Sequence, residues 1–222
     1  MARRIIGAAF VSLDGVMQAP GGASEDPTGG FDHGGWLAPV ADEALGETIG
    51  ALFAAPFALL LGRRTYDIFA GYWPFAPAEH PITGTFNAAT KYVLTASAAP
   101  LGWAGSERLA DLDAVAAVKA GEGPDLVVQG SSSLYPQLLA RGLLDRLTLL
   151  IAPVVLGKGK RLLGSDGPAR TLKLVEHRVG SGGMIVTTYE PAGSVASASA
   201  GPELETNPVE AARQATMAAG TW

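Results

Sequence analysis

The chain has 222 residues, 48% hydrophobic and 17% charged, with a formal net charge of -5. That length fits one domain with room for a tail, and so apolar a balance can fill a core, which excludes global disorder. An acidic chain without a basic run lacks the footprint of a nucleic-acid binder, and zero cysteines exclude disulfides, thiolate metal sites and cysteine nucleophiles while suiting a reducing cytoplasm.

Arg3 and Arg4 precede an apolar run, Ile5 to Leu13, that mimics an export signal. Ser12 and Asp14 break its character and no small-x-small cleavage site follows, so a buried first strand over Arg4 to Val11 is expected. Ala19 to Gly35 is a glycine-rich loop carrying Asp26, Asp32 and His33. Val40 to Ala54 reads as a helix and Phe57 to Leu61 as an all-apolar strand. Pro56 breaks the stretch Ala51 to Leu61, which falls short of the ~20 residues that cross a bilayer, so no membrane span is expected. Thr65 to Ala70 starts a second helix, and Gly71 to Gly84, rich in proline and aromatics, reads as an irregular loop.

Lys91 to Thr95 reads as a strand, with a short one near Arg108. Leu112 to Ala120 is an amphipathic helix that Gly121 to Pro124 stops. Leu126 to Gln129 is a buried strand, Leu134 to Arg141 a helix and Leu144 to Ile151 another strand. Leu172 to Val179 and Met184 to Glu190 flank a Gly-Ser-Gly-Gly turn and read as a closing hairpin. Strands joined by helices imply an α/β domain over residues 1–191 with a mostly parallel sheet, to which the hairpin adds antiparallel edges. Residues 192–222, rich in Ala, Ser, Gly and Pro, read as a tail: a linker over Gly193 to Gly201, then a short helix opened by Asn207-Pro208 and running to Ala218.

Three strand-end corners carry phosphate-friendly chemistry. Leu61-Gly62-Arg63-Arg64-Thr65 runs from a strand into a helix, where free N–H groups, a glycine and two arginines suit a phosphorylated ligand. Taken singly, a helix start with two solvated arginines explains it as well. Thr95-Ala96-Ser97 offers hydroxyls just past another strand, although such residues also simply make turns. Gln129-Gly130-Ser131-Ser132-Ser133-Leu134-Tyr135 passes from a strand through a small-residue turn into a helix, which suits a pyrophosphate or a plain serine cap. It is not the G-x-G-x-x-G fingerprint, so an ordinary Rossmann domain is not supported.

The order of these corners, with Phe10-Val11-Ser12-Leu13-Asp14-Gly15, Leu143-Leu144-Asp145 and Ala152-Pro153-Val154-Val155-Leu156-Gly157, resembles the dihydrofolate reductase-like superfamily. Within it, Arg4 to Pro191 resembles the reductase (RibD C-terminal) domain of riboflavin biosynthesis and its stand-alone bacterial relatives. The resemblance implies a three-layer α/β/α fold, a cytoplasmic homodimer and an NADPH cofactor. It places Gly62, Arg63, Arg64 and Thr65 on the cofactor phosphates and Thr95 and Ser97 near the 2′-phosphate. Gly130, Ser131, Ser132, Ser133 and Leu134, with Tyr135 alongside, would cradle the pyrophosphate and nicotinamide. Ala9, Asp14 and Val16 would lie against the nicotinamide. The family usually shows two consecutive glycines where this chain has Gly130-Ser131, which leaves the turn geometry open.

The implied chemistry is hydride transfer to a C=N or C=O carbon of a small, heterocyclic substrate, with a proton added to the neighbouring atom. Asp42, near the first helix, and Asp14 are the candidate catalytic acids; helix-dipole and loop-bracing roles explain the same residues. Asp32 and His33 sit in a loop that would act as a lid or be merely solvated. Trp73 and Phe75 would line a pocket or plug a core edge, and Lys158, Lys160 and Arg161 would meet an anion or water. His33, His80 and His177 show no ligand spacing, so no metal is expected. Two other functions remain: reduction of the ribosylamino-pyrimidine of the riboflavin pathway, and a non-catalytic dinucleotide-binding dimeric scaffold.

Overall fold

A computed structural model describes residues 3–164, 167–198 and 207–221. The chain opens on β1 (Ile5–Ser12), crosses the glycine-rich loop to α1 (Glu43–Leu52), and returns in β2 (Phe57–Gly62), which passes directly into α2 (Arg63–Ala70). After α3 (Thr83–Ala88) come β3 (Lys91–Leu94), β4 (Ser106–Leu109), α4 (Leu112–Ala120), β5 (Asp125–Val128) and α5 (Leu134–Ala140). β6 (Arg146–Ala152) and the hairpin β7 (Leu172–Val179) and β8 (Ile185–Pro191) complete the sheet, and α6 (Pro208–Ala218) follows.

The eight strands lie in the order β4-β3-β2-β5-β1-β6-β8-β7. All pairings from β4 to β6 are parallel, while β8 is antiparallel to both β6 and β7. Side chains alternate between two faces. Ala58, Leu60, Leu126 and Val128 pack with Val115 of α4 and Leu138 of α5 on one face. Phe57, Leu59, Leu61 and Val127 pack with Tyr66 of α2 and Phe86 of α3 on the other. On that second face, further along the sheet, Ala44 of α1 joins Leu150, Val186 and Trp36. Covered on both sides, β2 is buried throughout, which is why its sequence is a continuous apolar run rather than an alternating one. Each of Leu59, Leu60 and Leu61 is fully buried, contributing roughly 1.5–3 kcal/mol of transfer free energy.

The expected elements are present, with shifted ends. The first helix starts at Glu43 rather than Val40, because Ala38 to Val40 form a separate 3-10 turn and Asp42 caps the helix through Ala44 N–H. The 71–84 segment is less irregular than its composition suggests. It holds a 3-10 turn at Trp73–Phe75, and its end enters α3, whose Phe86 stacks against Phe53 and Trp73. The linker expected over 193–201 lies partly outside the described residues. The late helix is present, with Asn207 Oδ1 accepting from the N–H groups of Val209 and Glu210.

Candidate functional site

Because β1, β2, β3 and β5 run parallel, their carboxyl ends share one edge of the sheet, where ligands of open α/β sheets collect. At the β2 end no loop intervenes: Gly62 is both the last strand residue and the N-cap of α2. The first-turn N–H groups of α2 therefore have no intrahelical acceptor and face this edge. Arg64 is exposed and has no side-chain partner among the described residues, whereas Arg63 Nε donates to Asp67 at 2.8 Å and Nη1 to the carbonyl of Ala99.

The β5 corner locks against the β2 corner. Gly62 N–H donates to Gly130 O at 3.2 Å. A Cβ on Gly62 would stand 3.1 Å from Ser131 Cβ and overlap its Oγ, and a Cβ on Gly130 would overlap Thr65 Oγ1. Only glycine at both places lets the two corners approach. The Gly130–Ser131 peptide is cis, and Ser131 and Ser133 hydroxyls lie 2.9 Å apart. Next to them, Thr95 Oγ1 accepts from Ser97 N–H at 3.1 Å, turning the chain away after β3.

These corners line one cavity of about 1840 Å³, too large for a small molecule alone and of a size for a dinucleotide plus a substrate. The same cavity is also walled by the loop after β1, including Met17, Gln18, Glu25 and Asp26, and by Tyr72 and Trp73. That loop is pinned rather than loose. Gln18 Nε2 donates to the carbonyls of Asp26 and Thr28, Trp36 Nε1 donates to Gln18 O, and Gln18 Oε1 accepts from Lys160 N–H. Lys160 Nζ binds the Asp26 carboxylate. Burial pushes the Asp26 carboxyl up, but the hydrogen bonds from Lys160 and Thr28 outweigh it and hold it below its ordinary value. Glu25 is shifted the other way, raised chiefly by burial.

The structure brings Gly62, Arg63, Arg64, Thr65, Thr95, Ser131, Ser132, Ser133 and Leu134 to this cavity. It does not bring the rest. Ala9 and Val16 are buried in two different parts of the core, and neither Ser97, which is exposed, nor Gly130 is part of the lining. Tyr135 is fully buried beneath it, with its hydroxyl donating to Val128 O at 2.6 Å and within 3.2 Å of Ala8 O.

Both expected catalytic acids are turned elsewhere. Asp14 accepts from Ser12 Oγ at 2.6 Å and from the N–H groups of Leu156 and Gly157, and it pairs with Arg161. The Ser12 hydroxyl and then the Leu156 N–H hold its carboxyl down at about 2. Asp42 accepts from Ala44 N–H in α1 and from Gly182 and Met184 N–H in the β7–β8 turn. Neither lines the cavity. Asp32 is exposed and pairs with Lys158. Conversely, Glu25 and Gln18 line the cavity although nothing in their spacing marks them: they sit in an aperiodic loop, and only folding brings them to the edge of β1.

Among the described residues no helix is long and apolar enough to cross a membrane, and no cluster of three His, Asp or Glu forms a metal site. The sheet order and its closing hairpin define a dihydrofolate reductase-like α/β protein. One such likeness is to dihydrofolate reductase from Enterococcus faecalis complexed with NADP(H) and RAB-propyl, with a TM-score of 0.54 at 14% identity, covering 86% of this chain and 99% of that one. Another is to a protein of Shewanella sp. PV-4 provisionally named for riboflavin biosynthesis, with a TM-score of 0.58 at 20% identity, covering 86% of this chain and 99% of that one. The uncharacterized protein YyaP of Bacillus subtilis (strain 168) is 25% identical over 193 residues, covering 84% of this chain and 94% of its own. The RibD C-terminal domain model matches residues 3–186, and the chain belongs to that family.

Proposed function

We propose that this chain is an NADPH-dependent reductase acting on a C=N or C=O bond of a small heterocycle. One observation carries the reading: the corners after β2, β3 and β5 converge on a single cavity with room left beside them. Reduced nicotinamide, when bound, supplies a hydride. The chain's own residues supply the grip. The first-turn N–H groups of α2 and the Ser131, Ser132 and Ser133 hydroxyls suit phosphate oxygens, and the unengaged guanidinium of Arg64 suits a 2′-phosphate. Met17, Tyr72 and Trp73 offer an apolar, aromatic wall that would exclude water from the acceptor.

The test is a fluorescence titration with NADPH and NADH, followed by nicotinamide absorbance over a panel of cyclic imines, dihydropterins and ribosylamino-pyrimidines. NADPH should bind at least tenfold tighter than NADH and be oxidised with one acceptor class. Replacing Arg63→Ala together with Arg64→Ala should erase the preference; equal loss for both cofactors contradicts the phosphate assignment. Tight NADPH binding with no oxidation across the panel would leave the scaffold reading instead.

We propose as well that two copies associate through the hairpin side of the sheet. Val179 and Ile185, a directly paired couple, are exposed there, which is unusual for large apolar side chains on adjacent strands. Light scattering should give twice the chain mass, and Ile185→Lys should give the monomer.

A further inference from the structure

We infer that Glu25 is the acid that delivers the proton accompanying hydride transfer, a role that rests on the reductase reading above. Glu25 is half-buried in the loop after β1, where it lines the cavity. Its Oε2 accepts from Gly21 N–H at 2.7 Å and Gly22 N–H at 3.0 Å. Its Oε1 has no protein partner among the described residues. One oxygen is thus anchored and the other is left to carry a proton.

The other carboxyls of the wall are committed. Asp26 is held charged by Lys160 and Thr28, and Asp67 is bound by Arg63. Asp111 caps α4 through Ala114 N–H, and Asp113 pairs with Arg141. His80 is exposed and packs on the Trp73 ring, with centroids 5.4 Å apart. The charged groups that share the cavity wall with Glu25 are Asp26 beside it, Lys160 from the β6–β7 connection, Arg63, Arg64 and Asp67 from α2, Asp111 and Asp113 at the start of α4, and Arg141 after α5. Burial, the leading influence, and the neighbouring Asp26 charge favour the neutral carboxyl against the two glycine N–H groups. A raised carboxyl favours the protonated form, which is the form a proton donor needs.

The Glu25 O–H bond breaks and an N–H or O–H bond forms on the acceptor heteroatom. The C=N or C=O π pair moves onto that heteroatom while its carbon takes a hydride, whose two electrons come from a reduced nicotinamide. The acceptor is reduced, the nicotinamide is oxidised, and the Glu25 carboxylate regains its proton from water.

The experiment uses the full chain with δ-13C-labelled glutamate, its Glu25 carbon assigned by comparison with Glu25→Gln. In the NADPH-loaded protein the Glu25 signal should titrate well above those of the other glutamates; titration among them overturns the inference. Glu25→Gln should bind NADPH as the wild type does. With whichever acceptor of the panel turns over, it should lose about 100-fold in kcat, the lower end for general acid catalysis. The decline of wild-type rate as pH rises through the Glu25 titration should vanish, and Glu25→Asp should restore part of the rate. An unchanged rate in Glu25→Gln, or an unchanged pH profile, overturns the proton role. Failure of the wild type to bind NADPH sinks the reductase reading instead, and is visible separately in the binding titration.

Discussion

Gly62 at the end of β2 and Ser131 in the turn after β5 touch so closely that a Cβ on the glycine would overlap the serine Oγ. Gly62 itself has ordinary extended backbone, φ -73° and ψ 155°, so space alone demands a glycine there. Gly62→Ala should therefore cost about 1–3 kcal/mol, the usual penalty for an inserted methyl in a packed site. The measurement is urea unfolding. Adding Ser131→Gly should recover part of the loss, giving a coupling energy of ~0.5–3 kcal/mol in a double-mutant cycle. Strict additivity would show that the two corners do not press on each other.

The two arginines that follow are chemically alike but differently occupied. Arg63 is spent on Asp67 and the Ala99 carbonyl, while the Arg64 side chain has no partner among the described residues. A hydrogen bond to a charged group contributes ~1.5–3 kcal/mol. Arg64→Ala alone should thus raise the NADPH Kd about tenfold or more and leave that of NADH nearly unchanged. Arg63→Ala should act more evenly on both cofactors, by loosening the α2 start. A larger NADPH effect from Arg63 than from Arg64 would reverse this assignment.

Much of this groove was legible in the sequence because its corners are local. Gly62 to Thr65 and Gln129 to Leu134 are each a strand end, a small-residue turn and a helix start, readable from periodicity and composition. What was not legible depends on distant partners. Asp42 looks like a free acid at a helix start until Gly182 and Met184 arrive from the hairpin to claim it. Asp14 is claimed in the same way by Leu156 and Gly157. Glu25 lies in a loop without period, so only the pinning of that loop by Gln18 and Lys160 reveals where it points its chemistry. The α3 helix was hidden because Thr83-Gly84-Thr85 argue against helix locally, and burial of Phe86 among Phe53, Phe69 and Trp73 overrides them.

Asp42 joins two elements that are far apart in sequence. It caps α1 through Ala44 N–H and holds the β7–β8 turn through Gly182 N–H at 2.9 Å. Losing a side-chain cap costs about 0.5–2 kcal/mol. Asp42→Ala should therefore lower the urea midpoint clearly while leaving the NADPH Kd within twofold, roughly 0.4 kcal/mol. Asp42→Asn should retain more stability, since its carbonyl oxygen can still accept from one of these groups. A selective loss of turnover in a fully stable Asp42→Ala protein would return this residue to the active site.

Asp14 gives the molecule a pH signature. Its carboxyl is held at about 2, against 3.8 for an unhindered aspartate, by the Ser12 hydroxyl first and the Leu156 N–H next. Because the folded value lies below the unfolded one, the charged form stabilises the fold fully above pH 3.8, and that stabilisation is lost as pH falls toward 2. The contact ties the end of β1 to the segment after β6, and Arg161 closes it from outside. Asp14→Asn should be less stable than wild type at pH 6, and the gap should close progressively on acidification, as followed by thermal unfolding at stepped pH. Its NADPH affinity at pH 7 should stay near that of wild type, because the side chain faces Leu156 and Gly157 rather than the cavity. A gap that stays constant down to pH 2 would mean that the Asp14 charge does not hold this junction, and that its shape alone does.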